Sequence, residues 1–85
     1  MKLLVVEDDL TLSMGICFEL DCNGYLTVAA YNYKKAHQLI QNDHFDLVML
    51  DVNLPDGNGF DICRTIKKIY PQMPVIFLTA NDLEQ

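Results

Sequence analysis

Three consecutive acidic residues, Glu7, Asp8 and Asp9, directly follow the apolar run KLLVV near the start of the chain. Adjacent carboxylates repel one another, so ionised side chains at this position require a compensating interaction. A bound divalent cation would supply it, and so would the positive end of a helix dipole. A fourth acid, Asp51, ends another apolar run, FDLVML. Because Mg2+ prefers oxygen ligands, these acids are candidates for a magnesium site.

The elements that must position these acids alternate along the chain. The apolar pattern predicts strands at residues 2–6, 25–30, 45–50 and 74–79 and helices at residues 10–23, 33–41 and 60–70. The segment DVNLPDGNGF predicts an irregular loop after the third strand. Strands that alternate with helices predict an α/β fold, a doubly wound parallel sheet with strand order 2-1-3-4 and helices on both faces.

The first predicted helix carries apolar residues at helical spacing. Leu12, Ile16 and Leu20 recur every four residues, and Met14 and Phe18 widen the same pattern. We expect this stripe to pack against the sheet.

Topology predicts where the polar groups meet. Glu7 and Asp8 follow the first strand, Asp51 ends the third and Thr79 ends the fourth, so all reach the carboxyl edge of the sheet. Neighbouring strands lie about 4.8 Å apart, which predicts that Asp8 and Asp51 come within a few ångströms of each other. Asp9 is expected to act as an N-cap or first-turn acid instead. The Thr79 hydroxyl could donate a hydrogen bond to an anion there.

Composition limits the function classes. The chain has 85 residues, of which 51% are hydrophobic and 21% charged, which is typical of one globular domain. Its formal net charge of −6 argues against direct binding of nucleic acid, which requires clustered basic residues. The apolar run near Met1 is too short for a signal peptide or a membrane span, so we expect a cytoplasmic protein without a membrane partner.

Three sequence blocks, LLVVEDD, LVMLDVNLPDGNGFDICRTIK and PVIFLTA, resemble the signature blocks of receiver domains of response regulators in two-component signalling. They occur in the same order and spacing over essentially the whole chain. The resemblance implies a flavodoxin-like fold and a signalling module, not an enzyme. It implies that Asp51 accepts a phosphoryl group from a histidine kinase in a Mg2+-dependent reaction. It also implies control of transcription through a DNA-binding domain that these residues do not contain.

The resemblance also implies individual roles. Asp8 and Asp51 would bind Mg2+ directly, Glu7 directly or through water, and Asn53 through its backbone carbonyl. Thr79 would be the switch hydroxyl that moves toward the phosphoryl group, and the Ala80 amide would help to hold it. The side chains of Asn53 and Asn81 would flank the phosphoryl group and tune its lifetime.

Part of the family pattern has no counterpart in the sequence. The fifth strand and last helix of a receiver are missing, so residues 1–85 are expected to be the N-terminal part of a single, incomplete domain. The family's phosphoryl-binding lysine belongs to that missing part, so phosphotransfer by this chain alone is expected to be impaired. The fourth strand would become an apolar edge, and we expect a dimer or higher assembly through that edge or through exchange of elements.

Two alternatives remain open at this point. The chain could be a receiver-like binding or dimerisation module that is not phosphorylated. It could also be a Mg2+-dependent phosphoesterase or Toprim-like enzyme. The second alternative is weaker, because Asp51-Val52-Asn53 lacks the second acid of an Asp-x-Asp motif.

Overall fold

A four-stranded parallel sheet forms the centre of the computed structural model, which describes residues 1–78. The long strands are β1 (Lys2–Val6), β2 (Leu26–Ala30), β3 (Leu47–Asp51) and β6 (Val75–Leu78). The helices are α1 (Leu10–Cys22), α2 (Tyr33–Asn42) and α3 (Gly59–Ile69). The sheet order is β2-β1-β3-β6. Since β6 is the predicted fourth strand, the doubly wound α/β fold and the order 2-1-3-4 are confirmed.

The register of the sheet determines which residues leave it together. Val6, the last residue of β1, lies opposite Ala30 of β2 and Leu50 of β3. Asp51 lies opposite Leu78 at the end of β6. All four strands therefore end at one edge, and the residues that follow β1 emerge beside Asp51.

The main core lies between the sheet and the helices α2 and α3. Its strand members are alternate residues, because successive side chains of a strand point to opposite faces. The buried side chains of this core include Leu4, Val6, Val48 and Leu50 of the sheet, Ala36 and Ile40 of α2, and Ile62 and Ile66 of α3. Burying each of the larger side chains contributes about 1.5–3 kcal/mol, so this layer holds β1 and β3 firmly in place.

Helix α1 differs from the prediction made for it. Met14 and Phe18, expected to widen the buried stripe, are 67% and 69% exposed. Ile16 and Leu20 are only half-buried, and Ser13 is the one buried side chain of the helix. Apolar residues surround α1 on nearly every side, so spacing alone could not identify its inner face.

The predicted irregular loop contains a short hairpin. The strands β4 (Asn53–Leu54) and β5 (Gly57–Asn58) pair antiparallel. Leu54 is buried in the main core, and the Asn58 side chain accepts a hydrogen bond from the Phe60 N–H as the N-cap of α3. The loop after Asp51 is therefore an ordered structure that connects β3 to α3.

None of the helices in residues 1–78 has the length and apolar character that crossing a bilayer requires.

Candidate functional site

Three carboxylates meet at the carboxyl edge of the sheet. One oxygen from each of Glu7, Asp8 and Asp51 lies within 4.8 Å of the other two. The prediction that Asp8 and Asp51 lie close together is therefore confirmed. Asp8 is exposed, Asp51 is half-buried and Glu7 is buried, so the cluster opens to solvent on one side.

Glu7 is the most enclosed acid of the cluster, with 4% of its surface exposed. Its Oε2 accepts a hydrogen bond from the backbone N–H of Asp9 over 3.0 Å. Burial raises the pKa of the Glu7 carboxyl, and the charges of Asp51 and Asp8 raise it further, whereas the Asp9 hydrogen bond opposes both effects. A nearby positive charge would favour the ionised form of Glu7.

Asp9 has a local structural role, as the sequence predicted. Its side chain accepts a hydrogen bond from the Leu12 N–H over 3.1 Å and forms the N-cap of α1. This bond satisfies one of the amides that lack a partner within the first turn of a helix. The three consecutive acids are thus divided, with Asp9 capping the helix and the other two joining Asp51.

The loop after Asp51 is held close to the strand end. The Gly59 N–H donates a hydrogen bond to the Val52 carbonyl over 2.7 Å. A Cβ atom on Gly59 would collide with the Asp51 carbonyl oxygen, so only glycine allows this approach. The Asn53 N–H lies 3.5 Å from Asp51 Oδ1, at the limit of a hydrogen bond. Together these contacts hold the backbone that directly follows Asp51.

The acids line a pocket that also has an apolar wall. The residues that line it are Glu7, Asp8, Asp9, Leu12, Asp51, Asn53 and Leu78. Leu12 and Leu78 were not predicted as site residues. A signal for Leu78 existed, because it directly precedes Thr79 at the end of the last strand.

The predictions for the phosphoryl-binding group cannot be compared with the structure. Thr79, Ala80 and Asn81 lie outside the described residues 1–78, so their roles remain predictions.

The donor set of the pocket suits a small, hard cation. Carboxylate and carbonyl oxygens are the ligands that Mg2+ selects, usually together with several waters. Here Asp8 and Asp51 offer carboxylates beside the buried Glu7, and Asn53 lies at the same pocket. None of the basic side chains in residues 1–78 lines the pocket, so no cation of the described chain offsets these charges there.

Comparison with known proteins identifies relatives along nearly the whole chain. A family model described as "Response regulator receiver domain" matches residues 3–85. The transcriptional regulatory protein PmrA of Pectobacterium parmentieri is 43% identical over 82 residues, which covers 96% of this chain and 37% of PmrA. The chain therefore spans little more than a third of the length of that curated relative.

Solved structures share the fold. The non-phosphorylated HemR receiver domain of Leptospira biflexa is 40% identical, with a TM-score of 0.88, over 94% of this chain and 64% of that one. The response regulator TrrA of Thermotoga maritima, solved in complex with Mg2+ and BeF, is 28% identical with a TM-score of 0.90. That match covers 99% of this chain and 73% of TrrA.

Proposed function

The chain belongs to the response-regulator receiver domain family, and we propose that it accepts a phosphoryl group on Asp51 from a histidine kinase in a Mg2+-dependent reaction. The observation that carries the proposal is the approach of oxygens from Glu7, Asp8 and Asp51 to within 4.8 Å. Members of this family are signalling domains, and the proposed reaction places a reversible phosphoryl signal on the chain.

In this proposal Asp8 and Asp51 hold Mg2+ through their carboxylates, Asn53 through its backbone carbonyl, and Glu7 directly or through water. The ion, when bound, would neutralise the acids and the charge on the equatorial oxygens of the transferring group. TrrA, which was solved with Mg2+ and BeF, supports this assignment by similarity.

The covalent step belongs to Asp51. A carboxylate oxygen of Asp51 attacks phosphorus in line with the bond to the kinase histidine, so an O–P bond forms as the P–N bond breaks. The electron pair of the broken bond goes to the imidazole nitrogen. The product is an acyl phosphate, which water hydrolyses and which therefore suits a reversible signal. Leu12 and Leu78 line the same pocket as Asp51.

Thr79 and Ala80 are proposed to hold the transferred group, Thr79 through its hydroxyl and Ala80 through its amide. This part of the proposal is supported by the PVIFLTA block of the sequence. Since no basic side chain of residues 1–78 lines the pocket, we expect slow phosphorylation of the chain.

A mass measurement tests the proposal. The chain is incubated with acetyl phosphate and Mg2+, and intact mass should show one added phosphoryl group that is lost when Asp51→Asn replaces the acceptor. Asp46→Asn is the matched control, because Asp46 lies just before the opposite end of β3. Phosphorylation that survives in Asp51→Asn would disprove the acceptor assignment. Mg2+ binding without phosphorylation of the unmodified chain would favour the alternative of a binding module that is not phosphorylated.

We further propose that residues 1–85 form the N-terminal part of a receiver domain that works in transcriptional control in the cytoplasm. The support is the name of the relative PmrA, and the match to 64% of the HemR receiver structure. The net charge of −6 agrees with DNA binding by another segment and not by this one.

Self-association is the second partner proposal. Within residues 1–78, β6 is an edge strand whose outer side has no strand neighbour. Ile76 of this strand is 48% exposed. An apolar edge of this kind pairs readily with another chain, and we propose that two copies of the chain associate through β6.

A further inference from the structure

A carboxylate from the hairpin binds the first turn of α2. Asp56 lies in the turn between β4 and β5. Its Oδ1 accepts a hydrogen bond from the Tyr33 N–H over 2.6 Å, and its Oδ2 accepts one from the Lys34 N–H over 3.1 Å. Asp56 therefore bridges two elements that are separated by more than twenty residues of sequence.

These two bonds complete the cap of α2. The side chain of the local N-cap, Asn32, accepts a hydrogen bond from the Lys35 N–H over 2.8 Å. The amides of Tyr33 and Lys34 have no partner within the helix, because the first amides of an α-helix precede its hydrogen-bonding pattern. The hydrogen bonds from these amides, that of Tyr33 first, lower the pKa of the Asp56 carboxyl, as expected for an anion at the positive end of a helix.

The hairpin also packs directly against α2. A Cβ atom on Gly57 would lie 2.5 Å from Cδ2 of the Tyr33 ring, so the backbone of β5 rests on that ring. Two contacts, one polar and one apolar, thus hold the tip of the hairpin against the start of the helix.

The same hairpin carries a residue of the pocket. Asn53 of β4 pairs with Asn58 of β5, and Leu54 pairs with Gly57. Asn53 lines the acidic pocket, and its N–H lies 3.5 Å from Asp51 Oδ1. Only Leu54 and Pro55 therefore separate Asn53 from Asp56 at the tip of the hairpin.

We propose that Asp56 is a positioning residue for the phosphorylation site: it ties the β4–β5 hairpin to α2 and thereby fixes the Asn53 backbone beside Asp51. The functional part of this inference rests on the proposed function, in which the Asn53 carbonyl is a metal ligand. Asp56 acts through hydrogen-bond geometry and does not touch the metal or the phosphoryl group. Residues that orient a metal ligand through hydrogen bonds, without binding the metal themselves, act in the same way.

Three variants test the proposal. Asp56→Ala removes both acceptors, whereas Asp56→Asn keeps one carbonyl oxygen for the Tyr33 amide. The matched control is Asp61→Asn, which removes the same charge from an exposed carboxylate that pairs with Arg64 on α3. Asp56→Asn preserves side-chain shape, so it keeps the test informative if Asp56→Ala does not fold.

The first measurement is made without metal. Amide hydrogen exchange and chemical shifts at Asn53 and Gly59 should change most in Asp56→Ala, less in Asp56→Asn, and not in Asp61→Asn. This arm does not depend on the proposed function. Unchanged amides at both positions in Asp56→Ala would overturn the inference.

The second measurement is a Mg2+ titration at a temperature where each variant is folded. The dissociation constant should rise roughly tenfold in Asp56→Ala, less in Asp56→Asn, and stay unchanged in Asp61→Asn. Equal losses in both Asp56 variants would assign the effect to charge and overturn the hydrogen-bond mechanism. A lower unfolding temperature with unchanged Mg2+ affinity would overturn the positioning role and show that Asp56 only stabilises the fold. If the unmodified chain binds no Mg2+, the proposed function fails while the metal-free arm still decides the structural claim.

Discussion

The backbone N–H of Asp9 donates a hydrogen bond to Glu7 Oε2 over 3.0 Å, although both residues carry carboxylates. The Asp9 side chain is turned to Leu12 as the N-cap of α1 and accepts a hydrogen bond from its amide. One residue thereby begins the helix with its carboxylate and orients a neighbouring acid with its amide. This arrangement makes Asp9 a control for the metal-binding role of the acids beside it.

Substitution of these acids one at a time should show which of them bind Mg2+. Mg2+ present at a hundred times its dissociation constant is expected to stabilise the chain by about 2.7 kcal/mol. Asp8→Asn and Asp51→Asn should reduce this gain strongly, because each removes a proposed ligand. Asp9→Asn should retain it, because Asn is an equally good N-cap. Thermal unfolding with and without Mg2+ measures the gain, and an equal loss in Asp9→Asn and Asp8→Asn would contradict the assignment.

The pH dependence of stability should reveal Glu7. The pKa of Glu7 is raised in the fold. Between the ordinary pKa of a glutamate and this raised value, the folded chain therefore keeps a proton that the unfolded chain has already lost. This contribution to the free energy of unfolding is complete below the ordinary pKa of a glutamate and is lost as the pH rises through the raised value.

Urea unfolding with a chelator, over a series of pH values, measures this contribution. Glu7→Gln should remove it, whereas Glu19→Gln, at an exposed position of α1, should not. The difference between Glu7→Gln and the unmodified chain isolates Glu7 from acids such as Asp43, whose pKa is lowered by its hydrogen bond with Lys2. A Glu7 contribution that grows with rising pH would contradict the prediction.

Two glycines should respond in opposite directions to the same substitution. Gly59→Ala places a methyl group against the Asp51 carbonyl and should lower the free energy of unfolding by about 1–3 kcal/mol. Gly15→Ala meets no atom within 4 Å in α1 and should raise it by about 1 kcal/mol through helix propensity. Chemical denaturation of both variants compares them directly. If Gly59→Ala were as stable as the unmodified chain, the close approach of Gly59 to the Asp51 carbonyl would be contradicted.

Ser13 should be replaceable with a gain in stability. Its side chain is 1% exposed, and its Oγ has no hydrogen-bond partner among residues 1–78. Ser13→Ala removes a buried hydroxyl and improves helix propensity, so we expect the free energy of unfolding to rise by about 1–2 kcal/mol. Ala36→Ser makes the reverse change at a buried position of α2 and should lower it by about 1–3 kcal/mol. A destabilised Ser13→Ala would indicate a partner for the hydroxyl.

Association through β6 should depend on Ile76. Ile76→Lys places a charge on the edge strand and should shift the chain from dimer to monomer in light scattering. Ile69→Lys makes the same exchange at a comparably exposed position, 42% against 48%, at the end of α3 and should leave the dimer intact. A stable monomer of the unmodified chain at low concentration would refute the proposed association.

The sequence was sufficient to predict the strand order of the sheet and the approach of Asp8 to Asp51. The uninterrupted apolar run at residues 2–6 matches β1 (Lys2–Val6), because acids end it sharply. The third strand was less accurate, since prediction placed it at residues 45–50 and β3 spans Leu47–Asp51. The Asp46 side chain accepts a hydrogen bond from the backbone N–H of Lys2. Asp46 therefore binds β1 through its side chain, just before β3 begins at Leu47.

Other features depend on tertiary distances that a local pattern does not contain. Asp56 follows Pro55 in a segment whose sequence predicts only a turn. Its hydrogen bond with the Tyr33 N–H forms only because the folded sheet brings the two residues together. The orientation of α1 was missed for a related reason. Phe18 and Leu20 are equally apolar in sequence, and only packing against β1 and β2 determines which of them faces inward.

The parallel arrangement has a practical consequence for sensor experiments. Met1 precedes β1 and the acidic cluster follows it, so the two are separated by the length of the strand, roughly 16 Å. A linker attached at Met1 would therefore anchor the chain to a chip from the side away from the pocket. Surface-immobilised protein should present its acids to the flowing solution, which makes direct measurement of ion and kinase binding feasible.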